Sequence, residues 1–252
     1  MRRRRRISEF NKALLGRIMA VKAEHPSWGF RRVWAWLRRR EELPVNRKRV
    51  WRLMRENGLL VAPRGKLRAV RKNTTEKMRS VEPNTLWGTD MTKVMTGDGW
   101  AYVHVVIDWA SKKLLACVTS RASKTRDWLK ALSDAVNSQF PNGVRETMRR
   151  SVFLVSDHGS QPTSKTYMRE AKKLGLNQVF TSYCNPKGNA DTERVIRTIK
   201  EDLVWPREWA SPGELDDALR LWRKSYNEEF PHSSLGLQTP DEYEKWFLAS
   251  AS

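Results

Sequence analysis

At 252 residues the chain is longer than one hydrophobic core usually needs, so a large domain with a smaller module is expected. Hydrophobic residues at 39%, twelve Trp among them, exclude a disordered chain; no apolar run reaches the roughly 20 residues that cross a bilayer, and Met1 to Arg6 lacks the apolar segment of a signal peptide. The net charge of +20 is uneven: residues 1–80 carry 25 Lys and Arg against six Asp and Glu, a net of +19, and the remainder is close to neutral at +1. That concentration draws the first third of the chain to a phosphate backbone and points to nucleic acid as the partner, with no membrane and a cytosolic location expected.

Taken in chain order, Lys12 to Glu24 places Leu14, Leu15, Ile18, Met19 and Val21 at near-helical spacing until His25-Pro26 stops the pattern. A second helix is predicted over Phe30 to Arg40, with Phe30, Val33, Trp34 and Leu37 inward and arginines, Arg31 and Arg32 among them, on the remaining surface. Asn46 can cap a third, with Val50, Leu53 and Met54 inward and Arg47, Lys48 and Arg52 outward, ending at Asn57-Gly58. Residues 1–62 thus read as a small all-helical basic DNA-binding module and residues 63–82 as a basic linker. From residue 83 to 252 the period changes. Leu86 to Met95, Trp100 to Ile107 and Lys113 to Thr119 read as three successive antiparallel strands. A helix over Arg126 to Ser138, a buried strand over Val152 to Ser156, a helix over Ser164 to Leu174 and a strand over Leu176 to Phe180 follow. Helical patterns close the chain at Ala190 to Val204, Glu214 to Glu229 and Pro240 to Ala249, so the fold class is α/β after a helical module.

Cys117 and Cys184 are too few for a disulfide framework, and His25, His104, His158 and His232 are too scattered for a zinc site. The acids say more. Asp90 lies midway along the first strand, on the face it shares with Thr92. Asp157 follows the buried run Val152 to Ser156, where the next side chain enters a crevice at a strand end. Glu193 lies on a later helix, with 35 residues between it and Asp157. Three grouped carboxylates raise one another's pKa unless cations relieve them. Mg²⁺ suits such a set, because it takes oxygen ligands and keeps waters and phosphates in its shell. Singly, each acid is better explained as a surface charge or cap, and an Asp and a Glu at this spacing occur by chance in most chains.

The segments around the acids carry a resemblance. Trp87-Gly88-Thr89-Asp90-Met91-Thr92, then Ser156-Asp157-His158-Gly159-Ser160-Gln161, then Asn185-Pro186-Lys187-Gly188-Asn189 leading to Glu193 and Lys200, are similar to the catalytic signature of insertion sequence three family transposases, relatives of retroviral integrases. His25 to Arg32 through Val50-Trp51-Arg52-Leu53-Met54 resembles the helical module before the core in these proteins. Tyr226-Asn227, Pro231-His232, Leu235-Gly236 and Thr239-Pro240 resemble the motif after it. The resemblance implies a ribonuclease-H-like integrase core and a DDE trio with the same 35-residue spacing. It further implies Mg²⁺-dependent cleavage and strand transfer of double-stranded DNA in transposition, with two Mg²⁺ ions, or Mn²⁺ in their place, held by Asp90, Asp157 and Glu193. Element ends joined through a circular intermediate, a homo-oligomer of at least two copies on DNA, an upstream-frame partner or fusion, and a bacterial, nucleoid-associated location come with it. The rival readings are a non-catalytic DNA-binding regulator and a nuclease of the same fold.

Several residues keep alternatives. Lys200, seven residues after Glu193, projects from nearly the same helical face and is expected to hold DNA phosphate. Arg197 does likewise or forms an i, i+4 ion pair with Glu193. Asp191 is about 200° around the helix from Glu193, so both cannot face one metal. Asp108 is a rival to Asp90, but its place before Ser111 favours a turn cap. His158 reads as a turn residue bonded to backbone ahead of a phosphate contact. Phe230 stands where the family often has Arg, which puts a phosphate contact there in doubt.

Overall fold

The computed structural model describes residues 9–61, 80–144, 151–181 and 189–251. Most of the expected linker and the segment 185–188 lie outside them. The chain divides into two compact units, Met1–Lys72 with Pro231–Gln238, and Asn73–Phe230 with Thr239–Ser252.

The first unit contains α1 (Glu9–Glu24), α2 (Phe30–Arg39) and α3 (Arg47–Glu56). Leu14, Ile18 and Val21 of α1, Val33 and Leu37 of α2, and Val50, Leu53 and Met54 of α3 are buried, as the 3.6-residue period requires. Met19, at 53% exposure, falls off the stripe. The α1–α2 turn is held by aromatic packing, with His25 stacked on Trp28 at 3.8 Å and Trp36 meeting Trp28 edge-on at 5.7 Å. Asn46 caps α3 by accepting from the Lys48 backbone N–H at 2.8 Å, and Gly58 leaves the helix at φ +67°. In the same unit a short turn at Ser233–Leu235 is closed by the His232 N–H donating to the Gln238 carbonyl at 2.9 Å.

The second unit is built on a five-stranded sheet of order β3-β2-β1-β4-β5. Strands β1 (Leu86–Thr96), β2 (Gly99–Asp108) and β3 (Leu114–Ser120) form an antiparallel meander, as alternation predicted, and Gly99 at φ +103° makes the first turn possible. The pairing slips between Val106 and Ile107, an irregularity alternation alone does not reveal. Strands β4 (Val152–Ser156) and β5 (Leu176–Phe180) run parallel to β1 and to each other. Parallel pairing needs crossovers, and α4 (Thr125–Gln139) and α5 (Lys165–Lys173) lie between those strands in sequence. Trp128, Leu132 and Ala135 of α4 and Tyr167 and Ala171 of α5 pack with Trp87, Val106 and Leu154 of the sheet in one core. Helices α6 (Ala190–Ile199), α7 (Pro212–Glu229) and α8 (Pro240–Ala251) complete the unit.

Helix α7 runs along the outer edge of β3. The Thr119 N–H donates to Asp216 Oδ1 at 3.0 Å, Arg223 donates to the Leu115 carbonyl at 2.9 Å, and the Asn227 amide bonds both the N–H and the carbonyl of Leu114 at 2.9 and 3.0 Å. Backbone groups of an edge strand point outward in the plane of the sheet, so these side chains stand in for a missing strand. Trp222 stacks on Tyr226 along the same helix at 4.8 Å, and Tyr226 meets Phe230, just past the helix end, in a tilted contact at 5.1 Å. Phe230 is buried and therefore serves packing.

Candidate active site

Asp90 sits where β1 passes beneath α6. Residues two apart on a strand share a face, so Gly88 and Asp90 look the same way. A Cβ on Gly88 would land on Thr192 Oγ1 and Trp109 Nε1. Those two groups are bonded at 3.0 Å, and Asn189, just before α6, donates to the Thr89 carbonyl at 3.4 Å. Glycine inside this strand lets α6 approach the sheet, and Thr192 and Asn189, both buried, fix it there. Glu193, one residue past Thr192, is exposed on this docked helix, and its charge is felt at Asp90.

The electrostatics record the convergence. The Asp90 carboxyl is raised to about 6, chiefly by burial; the Met91 N–H, donating to Oδ1 at 2.7 Å, and the cation of Lys200 lower it, and the charges of Asp157 and Glu193 add to the rise. All three acids and Lys200 therefore share one field. Asp157 is exposed at the end of β4, its Oδ1 accepting from the Gly159 N–H at 3.0 Å. The turn it begins is braced by Gln178, which donates to Ser156 Oγ at 3.0 Å and to the Pro162 carbonyl at 2.9 Å. A cleft of about 350 Å³ lies between these strands, lined by Asp90, Asp157, Met91, Lys93, Tyr102 and Gln161.

Neighbouring residues separate cleanly. Asp191 is 3.3 Å from Lys112, turned to a partner of its own. Asp108 is fully buried and accepts from the Ser111 N–H, the Ser111 hydroxyl and the Asn84 N–H, the turn cap expected of it. His158 stacks on Phe180, with its Nε2 2.7 Å from the Thr181 carbonyl. Arg197 pairs with Glu201 at 3.6 Å and not with Glu193, because its side chain reaches forward along the helix. Lys200 opens a π-helical turn, Lys200–Val204, in which the Trp205 N–H donates to the Lys200 carbonyl at 2.8 Å. Such turns widen a helix and recur at functional sites. In the first unit Arg31, Arg47 and Lys48 are exposed and Arg32 and Arg52 half-buried. Sequence reasoning missed the parts played by Gly88, Trp109 and Thr192; a glycine within an otherwise regular strand is the signal that marks such a close approach.

Comparison with known proteins gives the family. Residues 9–66 match an HTH-like domain, and residues 80–186 and 174–240 match two descriptions of an integrase core domain. The transposase InsD of insertion element IS2A/D/F/H/I/K from Escherichia coli is 31% identical over 249 residues, covering 96% of this chain and 81% of that protein. The chain belongs to the insertion sequence three family of transposases. InsD of insertion element IS2-9 from Escherichia coli (strain K12) is also 31% identical, covering 96% of this chain and 79% of its own. A solved chain from a simian T-cell lymphotropic virus intasome, in complex with PP2A regulatory subunit B56 gamma, aligns at TM-score 0.53 and 14% identity over 83% of this chain and 73% of its own. The transposase thus has the ribonuclease-H-like fold of integrase catalytic cores after an HTH-like helical domain, and is a DDE polynucleotidyl transferase acting in DNA transposition. Both domain types imply DNA binding. Among the described residues no helix is long and apolar enough to cross a membrane.

Proposed function

We propose that Asp90, Asp157 and Glu193 are the carboxylates at which this transposase cleaves and joins DNA. The observation that carries the reading is the field at Asp90: burial and the charges of Asp157 and Glu193 together raise its carboxyl to about 6. Like charges gathered at one place are costly without a cation to relieve them. Integrase core domains generally use a divalent metal, and an all-oxygen donor set fits Mg²⁺, with Mn²⁺ as a substitute. Among the described residues no three His, Cys, Asp or Glu side chains stand close enough to hold an ion unaided. Mg²⁺ completes its shell with waters and phosphate oxygens, so no dedicated protein cage is needed. Two such ions, when bound by the trio, would supply Lewis acidity to the attacking and leaving oxygens of an in-line phosphoryl displacement.

The chain's own residues supply position. Asp90 is fixed from a central strand with Oδ1 engaged by the Met91 N–H, and Asp157 is fixed at a strand end by the Gly159 N–H. Glu193 is held by the docking of α6 on Gly88. Lys200, close enough to Asp90 to depress its carboxyl, is placed to hold a DNA phosphate beside the acids. Arg197, tied to Glu201, is a weaker phosphate contact. Arg31, Arg32, Arg47, Lys48 and Arg52 grip the backbone from a module of residues 1–62, joined through a basic linker of 63–82 to the catalytic domain of 83–252. Two copies or more assemble on DNA, since transposition handles two ends, and the bacterial cytoplasm, at the nucleoid, is where the protein works. An upstream-frame product is the partner or fusion expected to find the element ends.

Asp157→Asn tests the site. Mg²⁺-dependent cleavage and strand transfer, followed on labelled DNA, should vanish, while DNA affinity in EDTA stays near wild type. Retained strand transfer would remove Asp157 from the trio.

A further inference from the structure

The β1–β2 hairpin carries a face that the core does not use. Met91 and His104 are paired across the strands on this face and are covered, His104 by the edge of Trp128 at 5.3 Å and Met91 by the core packed around that ring. Toward the turn the cover stops. The next pair, Lys93 with Tyr102, is exposed to half-buried, and the pair after it, Met95 with Trp100, is 56% and 50% exposed. A Trp and a Met left in water at adjoining positions are costly to expose, and their strand pairing would be satisfied equally by polar side chains.

The composition of the face fits one class of ligand. Lys93 Nζ stands 6.0 Å from the Trp100 ring centroid and 5.4 Å from that of Tyr102, so a cation is held beside two flat aromatic surfaces. Lys93 and Tyr102 also line the cleft that Asp90 and Asp157 line; Asp90 looks to the other face of β1, and the two faces meet at the strand edge left open where the pairing with β4 ends at Gly88. Aromatic rings beside a cation bind single-stranded nucleic acid, the rings stacking on bases and the cation neutralising phosphate. Paired duplex hides the faces of its bases within the stack, so only unpaired nucleotides can use such a surface. We propose that Lys93, Met95, Trp100 and Tyr102 form a stacking platform for unpaired nucleotides of the DNA strand bound at Asp90 and Asp157. The proposal rests on the active-site reading above and adds to it that the strand is splayed where it leaves the site.

The test uses the whole protein in EDTA, with two duplexes of the same sequence, one blunt and one carrying a short unpaired tail labelled with 2-aminopurine. The wild type should bind the tailed duplex more tightly and quench the 2-aminopurine as it stacks. Trp100→Ala should weaken binding to the tailed duplex about tenfold, the range of one lost stacking contact, with little change on the blunt duplex and the quench lost. Trp100→Phe, which keeps a π-face, should restore most of the difference. Equal losses on both duplexes, or none on either, overturn the platform. So does a Trp100→Ala effect confined to self-association, which would assign the face to a second copy of the chain. Strand transfer by the wild type and its loss in Asp157→Asn, measured in parallel, judge the active-site reading separately.

Discussion

Two aspartates of the second unit, Asp90 and Asp108, have carboxyls raised to about 6, and burial is the largest cause in both. A raised pKa alone therefore does not tell a working acid from a structural one; the partners do. Asp108 spends its oxygens on Ser111 and the Asn84 N–H. Asp90 accepts from Met91 and lies in the field of two further acids. The sign of the Asp108 shift fixes a pH dependence. Its folded pKa lies above the ordinary value of 3.8, so the group contributes stability that is full below about pH 3.8 and is lost as pH rises through about 6. Asp108→Asn gives up part of the cap at every pH but has no charge to bury. Its deficit against wild type in thermal or urea unfolding should be largest near pH 4 and shrink, by on the order of 3 kcal/mol, toward pH 7. A deficit constant across that range would mean that the Asp108 carboxyl has the same pKa in the folded and the unfolded chain. Turn chemistry made the Asp108 cap readable in advance. The glycine contact that seats α6 was not readable, because the partners of Gly88 lie at Trp109 and Thr192, far along the chain.

Most elements were legible because each period is local: the boundaries of β4 and β5 fall where the apolar runs begin and end, and Asn46 and Gly58 punctuate α3 as read. Relations between elements were less so. Nothing in the alternation of β1 shows that β4 pairs beside it in parallel, and nothing in the helical period of α7 shows that its polar residues meet β3. Asp216, Arg223 and Asn227, seven and then four residues apart, lie along one side of α7 and together satisfy the edge of β3. The Tyr226-Asn227 pair, recognisable only as a family motif in the sequence, gains a physical account from this: Asn227 supplies one acceptor and one donor to a single backbone residue. Asn227→Ala leaves a buried N–H and a buried carbonyl of Leu114 unpaired, at about 1–3 kcal/mol each, and opens an edge that can recruit another strand. A fall in unfolding free energy of about 2–6 kcal/mol, with faster aggregation on heating, is expected. Stability within a few tenths of wild type would show that α7 does not protect this edge.

At the scale of the whole molecule the charge is partitioned. The residues up to 80 carry a net +19 and the rest only +1, although the acids assigned to chemistry all lie in the second group. A unit near neutrality, with Asp90 and Asp157 lining one cleft, gains little from long-range attraction to DNA. The HTH-like unit, with Arg31, Arg47 and Lys48 exposed, has the surface for it. Arg47 and Lys48 lie in the first turn of α3, and helix-turn-helix proteins contact DNA through the N-terminal residues of the second helix of the motif. If both meet phosphates, each releases condensed counterions on binding, and the slope of log affinity against log salt measures how many such contacts exist. The double substitution Arg47→Ala and Lys48→Ala should flatten that slope by about 1.8, or 0.9 per contact, weakening binding most at low salt. Asp157→Asn should leave the slope unchanged while abolishing the chemistry. The two variants together separate grip from catalysis. A double substitution with an unaltered slope would place the phosphate contacts on other basic residues, and a slope altered by Asp157→Asn would mean that the carboxylates take part in holding DNA before any bond is broken.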